Sequence, residues 1–341
     1  MNFGEKIKNP KNIISQSFGL LIFLQIFSVI LCLIGPMALF APVPMTISQL
    51  IFGPWLSTLL TIVVTGIGQA IIMKAGAGST GIYLLSSMFL VTICALTVSV
   101  QMKKNSRPIH IFMKSGAIIF TFLTLTLGGL NEVYKAQGGV SFVLNQSVSQ
   151  VMNTVRENNK DILEKNTEEA RVLQSFLKSQ DDLVVEVMNH LPSILFVMSF
   201  MMTWISFYSV LRLTKIWRYN LYYPYGTREL LGFKTPEYFV YPLIIGLGLF
   251  LAESFGVGKI FGVVGLNMLY MLGVFYLIQG FGIFYDFLTF VKIGGIFKSL
   301  TIFFTLTTGY KFLALLGIFD LWFNFRKFLI KKNTDDEGDI L

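Results

Sequence analysis

Asn267 and Gln279 lie twelve positions apart in one apolar run, from about Ile260 to Phe287. On a helix that spacing is a little over three turns, so the two amides project at different depths and about a third of a turn apart. Each amide carries donors and an acceptor, which suits the pair to holding a polar small molecule between helices. Gln69 and Gln25 are amides of the same kind in other apolar runs. The plainer role open to all four is to link helices through hydrogen bonds worth about 0.6–2 kcal/mol each.

Ionisable groups in such runs demand more, because a charge at a bilayer centre costs about 2.5–3.5 kcal/mol even on insertion scales. Asp320 follows Lys311 by nine residues and precedes Arg326 by six. Neither spacing stacks a partner on its own helical face, so a structural ion pair with another element or a loop cap is favoured over a proton relay. Glu253 lies near the end of its run, where Lys259 across a glycine-containing turn is placed to neutralise it. Asp286, close to Lys292, reads the same way.

Catalytic and metal chemistry find no comparable support. By the expected topology His110 and His190 fall at opposite membrane faces and cannot share a metal, and neither belongs to an HExxH pattern. Cys32 and Cys94 are far apart, inside apolar segments, with no CxxC, and read as small buried side chains. There is no local Ser/His/Asp or Cys/His signature and no phosphate-binding glycine loop. No enzyme, cofactor or metal is therefore expected, and any ATP-driven activity requires a separate subunit.

The elements that must position these residues follow from composition. The chain is 54% hydrophobic and 13% charged, against about 25% charged for a soluble chain. Its charges cluster between long apolar runs, so the hydrophobic surplus is organised as spans. The fold class expected is all-α, a polytopic transmembrane bundle of eight to ten membrane segments. The 33 Phe and 14 Met suit lipid-facing surfaces, and Trp217, Tyr219, Tyr222, Tyr223 and Tyr225 suit an interface. The net charge of +8 sits in short loops beside the runs, which favours membrane lipids over nucleic acid as a partner.

A charge ledger divides the chain. Residues 1–130 carry N-terminal membrane helices: a retained first helix (about 18–35), a proline-rich short segment 36–50, and helices near 53–73, 80–100 and 109–130. Lys6, Lys8 and Lys11 hold the N-terminus inside, and Lys103, Lys104 and Arg107 are returned inside only if 36–50 crosses or deeply re-enters. Residues 131–189 carry nine acidic and six basic residues without a span. They are expected outside the membrane as an amphipathic helix or hairpin with a stripe through Val148, Met152, Val155, Ile162, Leu173, Phe176, Leu183 and Val187. Residues 190–332 return to membrane helices near 191–213, 236–255, 260–287 and 299–325, the last one span or two hinged at Gly309-Tyr310-Lys311. Basic Arg326, Lys327, Lys331 and Lys332 favour two and place both termini in the cytoplasm. The tail 333–341 is acidic and expected to be disordered.

Several short motifs occur in a telling order: His190-Leu191-Pro192, then Phe233-Lys234-Thr235-Pro236-Glu237, Gly265-Leu266-Asn267, Gln279-Gly280, Leu316-Gly317-Ile318-Phe319-Asp320, and Phe325-Arg326-Lys327. In that order they resemble the bacterial DUF2232, or YybS-like, membrane protein family, with Phe233, Pro236, Gly280 and Arg326 among the carrying residues. The resemblance implies a multi-pass protein of a bacterial cytoplasmic membrane, remotely similar to the substrate-binding S components of energy-coupling factor transporters. It further implies a small-molecule solute and membrane-protein or ATPase partner subunits. The first helix lacks the alanine small-xxx-small pattern of S-component docking; Ser28-x-x-x-Cys32 and Gly66-x-x-x-Ala70 come nearest. Two functions are carried forward. One is a solute-binding or transport-related protein with a polar pocket between helices, Asn267, Gln279 and Gln69 being its ligand residues. The other is a non-transporting scaffold or envelope-assembly factor that binds proteins through 131–189 or the basic 212–234 loop.

Overall fold

The computed structural model describes residues 10–76, 78–163, 167–218 and 220–329. Lys6 and Lys8 of the basic N-terminus and the acidic segment 333–341 lie outside the described residues. Helix α1 (Pro10–Leu33) leads through a 3-10 turn (Gly35–Phe40) to α2 (Pro42–Phe52) and α3 (Pro54–Lys74). Helices α4 (Gly78–Lys103) and α5 (Pro108–Val133) follow, then α6 (Val140–Asn158), the short α7 (Lys160–Leu163) and α8 (Glu168–Lys178). Next come α9 (Gln180–Arg212), the short α10 (Thr214–Trp217) and α11 (Thr227–Leu231), α12 (Val240–Ser254) and α13 (Lys259–Phe290). The last pair is α14 (Gly295–Thr308) and α15 (Tyr310–Phe323).

Among the described residues, six helices are long and apolar enough to cross a membrane: α3, α4 from Tyr83, α5, α9, Glu237–Ser254 and α13. Helices α14 and α15 pass the same test only together, bent by 93° at Gly309. Each half has 14 residues, about 21 Å of helix, too short for a hydrocarbon core of about 30 Å. The expected hinge is therefore a broken span or a re-entrant pair. Two further apolar helices, Phe18–Leu33 and Met37–Phe52, fall below that length.

The chain divides into two compact units. The first comprises Met1–Ile119, Met198–Glu237 and Gly273–Leu341, and the second Phe120–Val197 and Tyr238–Leu272. In the first, Pro42 and Pro54 start α2 and α3, and Gly53 separates the two helices at φ 92°, a conformation open mainly to glycine. Every residue of α2 from Pro42 to Leu50 is buried. Its polar backbone ends are thus kept from lipid by protein, the condition under which interrupted helices are tolerated at membrane depth. Helix α2 returns along α1, with Ser28 Oγ donating to the Ala41 carbonyl (2.7 Å) and Gln25 Nε2 to Ser48 Oγ (2.9 Å). At its far end Lys103 Nζ donates to Gln49 O (3.0 Å), and Asn220 Nδ2 to Ile51 O (3.4 Å). Tyr223 OH reaches Ser106 O at 2.9 Å, and burial, with Tyr225 and Glu229 adding, raises the Tyr223 phenol pKa. The loop after α4, the basic loop after α9 and the end of α2 thus meet in one place.

Ser28 and Cys32 are fully buried, the thiol against Met88 Sδ at 3.4 Å, so that small-residue spacing serves internal packing. Gly66 and Ala70 are exposed, and a Cβ at Gly66 would meet nothing within 4 Å.

The insert lies wholly in the second unit as a helical hairpin. Its inner stripe follows heptad spacing through Ala170, Leu177 and Val184, all buried, opposite Met152. Gln180 Nε2 fastens it to Ser149 Oγ at 2.6 Å. Most of the expected stripe faces inward or halfway, but Phe176 is 47% exposed. Leu177 takes the inward position because it lies seven residues after the buried Ala170 on α8, and Phe176, one position earlier, is turned off that face.

Candidate functional site

In the second unit, Pro192 lies inside α9. A proline lacks the N–H that would satisfy the carbonyl four residues back and pushes that turn open. Asn267, from α13, is inserted beside it. Its Nδ2 donates to the Asn189 carbonyl (2.8 Å) and to Val263 O (2.8 Å), while its Oδ1 accepts from the Ser193 amide (3.2 Å). Asn189 O and Ser193 N are an i, i+4 pair, the groups an undistorted helix joins to each other. One side-chain amide thus forms a splice on the turn of α9 that holds its proline, and the His190-Leu191-Pro192 and Gly265-Leu266-Asn267 motifs meet there. Glycine makes the neighbouring approach possible: a Cβ at Gly265 would press on the Gly246 carbonyl and Phe250 backbone of α12.

The splice forms the back of a cleft of about 390 Å³ in the same unit. Asp182, Glu186, Asn189 and His190 line it from α9, Glu253 from α12, and Lys259, Val263 and Leu266 from α13. The volume falls within the range usual for small-molecule sites, about 300–1,000 Å³. Three carboxylates face one lysine across it, so the field favours a positive ligand. Glu253 and Lys259 share the cleft without closing an ion pair between them, and Glu253 lies flat over Gly262, where a Cβ would collide with it. The His190 ring meets Tyr270 edge-on at 6.0 Å, and its buried Nδ1 has no hydrogen-bond partner. Among the described residues no group of three His, Cys, Asp or Glu side chains is placed to hold a metal ion. Asp182, Glu186 and Asn189 follow one another at helical spacing, a signal legible in the sequence once 180–190 is taken as helix.

The other polar residues sort differently. In the first unit Gln279, 2% exposed, accepts from the Thr235 amide (2.8 Å) and donates to Asp320 Oδ2 (2.9 Å). Asp320, 5% exposed, also accepts from the Phe325 amide (2.7 Å). Arg326 donates to Leu231 O at 2.7 Å and stands 3.7 Å from Asp286. Burial lowers the Arg326 guanidinium pKa, and Asp286 and Asp320 oppose that shift. Phe233 closes the junction against Phe112 and Phe275, at centroid distances of 6.0 and 6.4 Å. Pro236 follows it at half-burial, and Gly280 lies in backbone contact with α15. The four remaining motifs therefore converge on one junction, in which Gln279 has both ends committed to protein. Lys311 is exposed at the start of α15.

Gln69 belongs to a third arrangement, a seam among α1 to α4. Ser57, Thr61 and Thr65 are the buried residues of α3, and with Gln69 they recur every fourth position. Thr61 donates to Gln25 Oε1 (2.7 Å), and Gln25, Ser48 and Ser57 continue the chain at 2.9 Å steps. Ser99 and Lys103 of α4 reach Gln49 at its far end. The buried Thr65 Oγ1, Gln69 Oε1 and Gln49 Nε2 have no partner.

A family model described as "Predicted membrane protein (DUF2232)" matches residues 19–321 of the chain. No curated protein and no solved structure matches it, and neither comparison supports a likeness to transporter S components.

Proposed function

The chain belongs to the DUF2232 family of predicted membrane proteins, and from that premise we propose that it binds a small amine-bearing solute at the cleft beneath the insert. The observation that carries the proposal is the cleft itself: Asp182, Glu186 and Glu253 outnumber Lys259, beside a histidine nitrogen left without a partner. Asn267 enters this reading as a positioning residue behind the wall, Glu253 as a ligand residue, and Gln279 as a structural link. The solute-binding role is that of a transport-related protein in a bacterial cytoplasmic membrane. Basic loops 103–107 and 212–234 face the cytoplasm and the insert faces outward, following the positive-inside rule. Energy for transport comes from a separate ATPase or membrane subunit, and the chain itself binds without turnover.

The test is a thermal-shift screen of the purified chain in mild detergent with matched amines and carboxylates, followed by native mass spectrometry. Amines are expected to stabilise the chain, and Glu186→Gln with Glu253→Gln to remove that effect while leaving the ligand-free melting point unchanged. Equal response to carboxylates, or survival of the amine effect in the double variant, sinks the assignment.

A second reading, a protein-binding scaffold, draws on the outer face of the hairpin. Val172 is 64% exposed and Phe176 47%, one turn apart, while Ala170 and Leu177 occupy the inner face. Affinity purification in mild detergent separates the two: coupling or ATPase subunits favour transport, and envelope-assembly proteins lost with Phe176→Ser favour the scaffold.

A further inference from the structure

The cleft between α9, α12 and α13 carries more negative charge than one amine can answer. Asp182 and Glu186 stand one turn apart on α9, Glu253 joins them from α12, and among the described residues Lys259 is the one cation of the lining. Two negative charges are therefore left uncompensated. None of the four side chains closes an ion pair among the described residues. Like charges one turn apart on a helix repel, and a third carboxylate in the same cleft strengthens that field.

The rest of the lining shows what lies between the charges. On α9 the positions Asp182, Val185, Glu186 and Asn189 share one helical face, and on α13 Lys259, Val263 and Leu266 do the same. Each charged wall is thus interleaved with apolar surface. The Glu253 carboxylate is held against α13 because residue 262 is glycine; a Cβ there would take its place. That sets the third carboxylate beside Val263, on a different wall from the α9 pair. We propose that the ligand is an aliphatic diamine, with one ammonium at Asp182 and Glu186, the other at Glu253, and the methylene chain against Val185, Val263 and Leu266. The proposal rests on the amine-binding reading of this cleft and adds the second charge. A monoamine leaves one negative charge unmatched, and an amino acid brings a carboxylate into a negative field with Lys259 alone to receive it.

The test compares three probes of one chain length, butylamine, 1,4-diaminobutane and 4-aminobutanoate, titrated calorimetrically into the full chain in mild detergent. Diaminobutane is expected to bind once per chain and about tenfold more tightly than butylamine, the effect of one further charge-assisted contact. Aminobutanoate is expected to bind more weakly than either. Glu253→Gln is expected to bring the ratio of the two amines towards one, and Lys259→Gln to tighten diaminobutane further. The comparison of probes on the natural chain needs no variant to fold, and butylamine binding by Glu253→Gln reports that this variant has folded. Equal binding of butylamine and diaminobutane overturns the diamine while leaving the amine site standing. Tightest binding of aminobutanoate does the same and gives Lys259 a carboxylate to hold. A diamine preference that survives Glu253→Gln, or several weak sites per chain, also overturns the proposal. Binding of none of the three overturns the amine-binding reading itself.

Discussion

Gly280 and Gly317 face each other across α13 and α15 with no side chain between them. A Cβ on Gly280 would overlap the Leu313 carbonyl, and one on Gly317 the Tyr276 carbonyl. Because the obstacle is backbone on both sides, neither helix can yield by turning a rotamer. Gly280→Ala and Gly317→Ala are each expected to cost about 1–3 kcal/mol or more through overpacking. Gly273→Ala, on the same helix with nothing within 4 Å of its Cβ, is expected to be neutral or stabilising by up to about 1 kcal/mol. Thermal unfolding in detergent, read by circular dichroism, checks the contrast; similar losses at Gly273 and Gly280 would remove the close crossing.

The Gln279 and Asp320 side chains bond directly at 2.9 Å while each also holds a backbone amide, Thr235 and Phe325 respectively. Asp320→Asn presents an amide to the Gln279 amide, so one of the three bonds is lost whichever way the groups flip. Gln279→Leu leaves the Thr235 N–H and one carboxylate oxygen without partners. Each single change is expected to cost about 1–3 kcal/mol, and the double variant less than the sum, by a coupling of about 0.5–3 kcal/mol. Strict additivity in the melting series would mean that the two residues act independently.

Asn267 is expected to show its role in hydrogen exchange. With Asn267→Leu, the Ser193 amide and Asn189 carbonyl lose their bridging partner beside Pro192, costing about 1–2 kcal/mol and speeding exchange at Ser193 above its neighbours two turns away. If the variant melts like the parent while losing an amine ligand, Asn267 touches ligand directly and the splice is of no consequence.

The long apolar helices were legible because span length and charge placement are written locally: the expected segments near 53–73, 109–130 and 260–287 appear as Pro54–Lys74, Pro108–Val133 and Lys259–Phe290. The order of short motifs identified the family correctly, yet the roles of those motifs were not readable, because Gln279 and Asp320 are joined only through a helix crossing 41 residues apart in sequence. Asn267 and Gln279 looked equivalent as amides in one helix, but one meets a proline-containing helix and the other a carboxylate and a loop. The cleft escaped notice because Asp182 and Glu186 were counted only in the charge of the insert, while Glu253 was paired with Lys259 in a separate turn. The polar seam escaped it for the opposite reason. Ser57, Thr61 and Thr65 form an inward stripe on a helix whose apolar residues face lipid, so the usual rule of apolar-inside hides it.

Cysteine accessibility tests the arrangement with respect to the membrane. Cys32 and Cys94 are both fully buried, so the natural chain is expected to resist a membrane-impermeant maleimide until it is denatured, and needs no cysteine removed. Asn105, Lys160 and Tyr222 are exposed, and cysteine at each position is expected to leave the fold intact. In intact cells Lys160→Cys is expected to label from outside, while Asn105→Cys and Tyr222→Cys label only after permeabilisation. Asn105 and Tyr222 must behave alike whatever the orientation, because the Tyr223 hydroxyl is bonded to the Ser106 carbonyl at 2.9 Å. Labelling of one of this pair without the other would contradict the structure itself, whereas joint labelling from outside would reverse only the orientation.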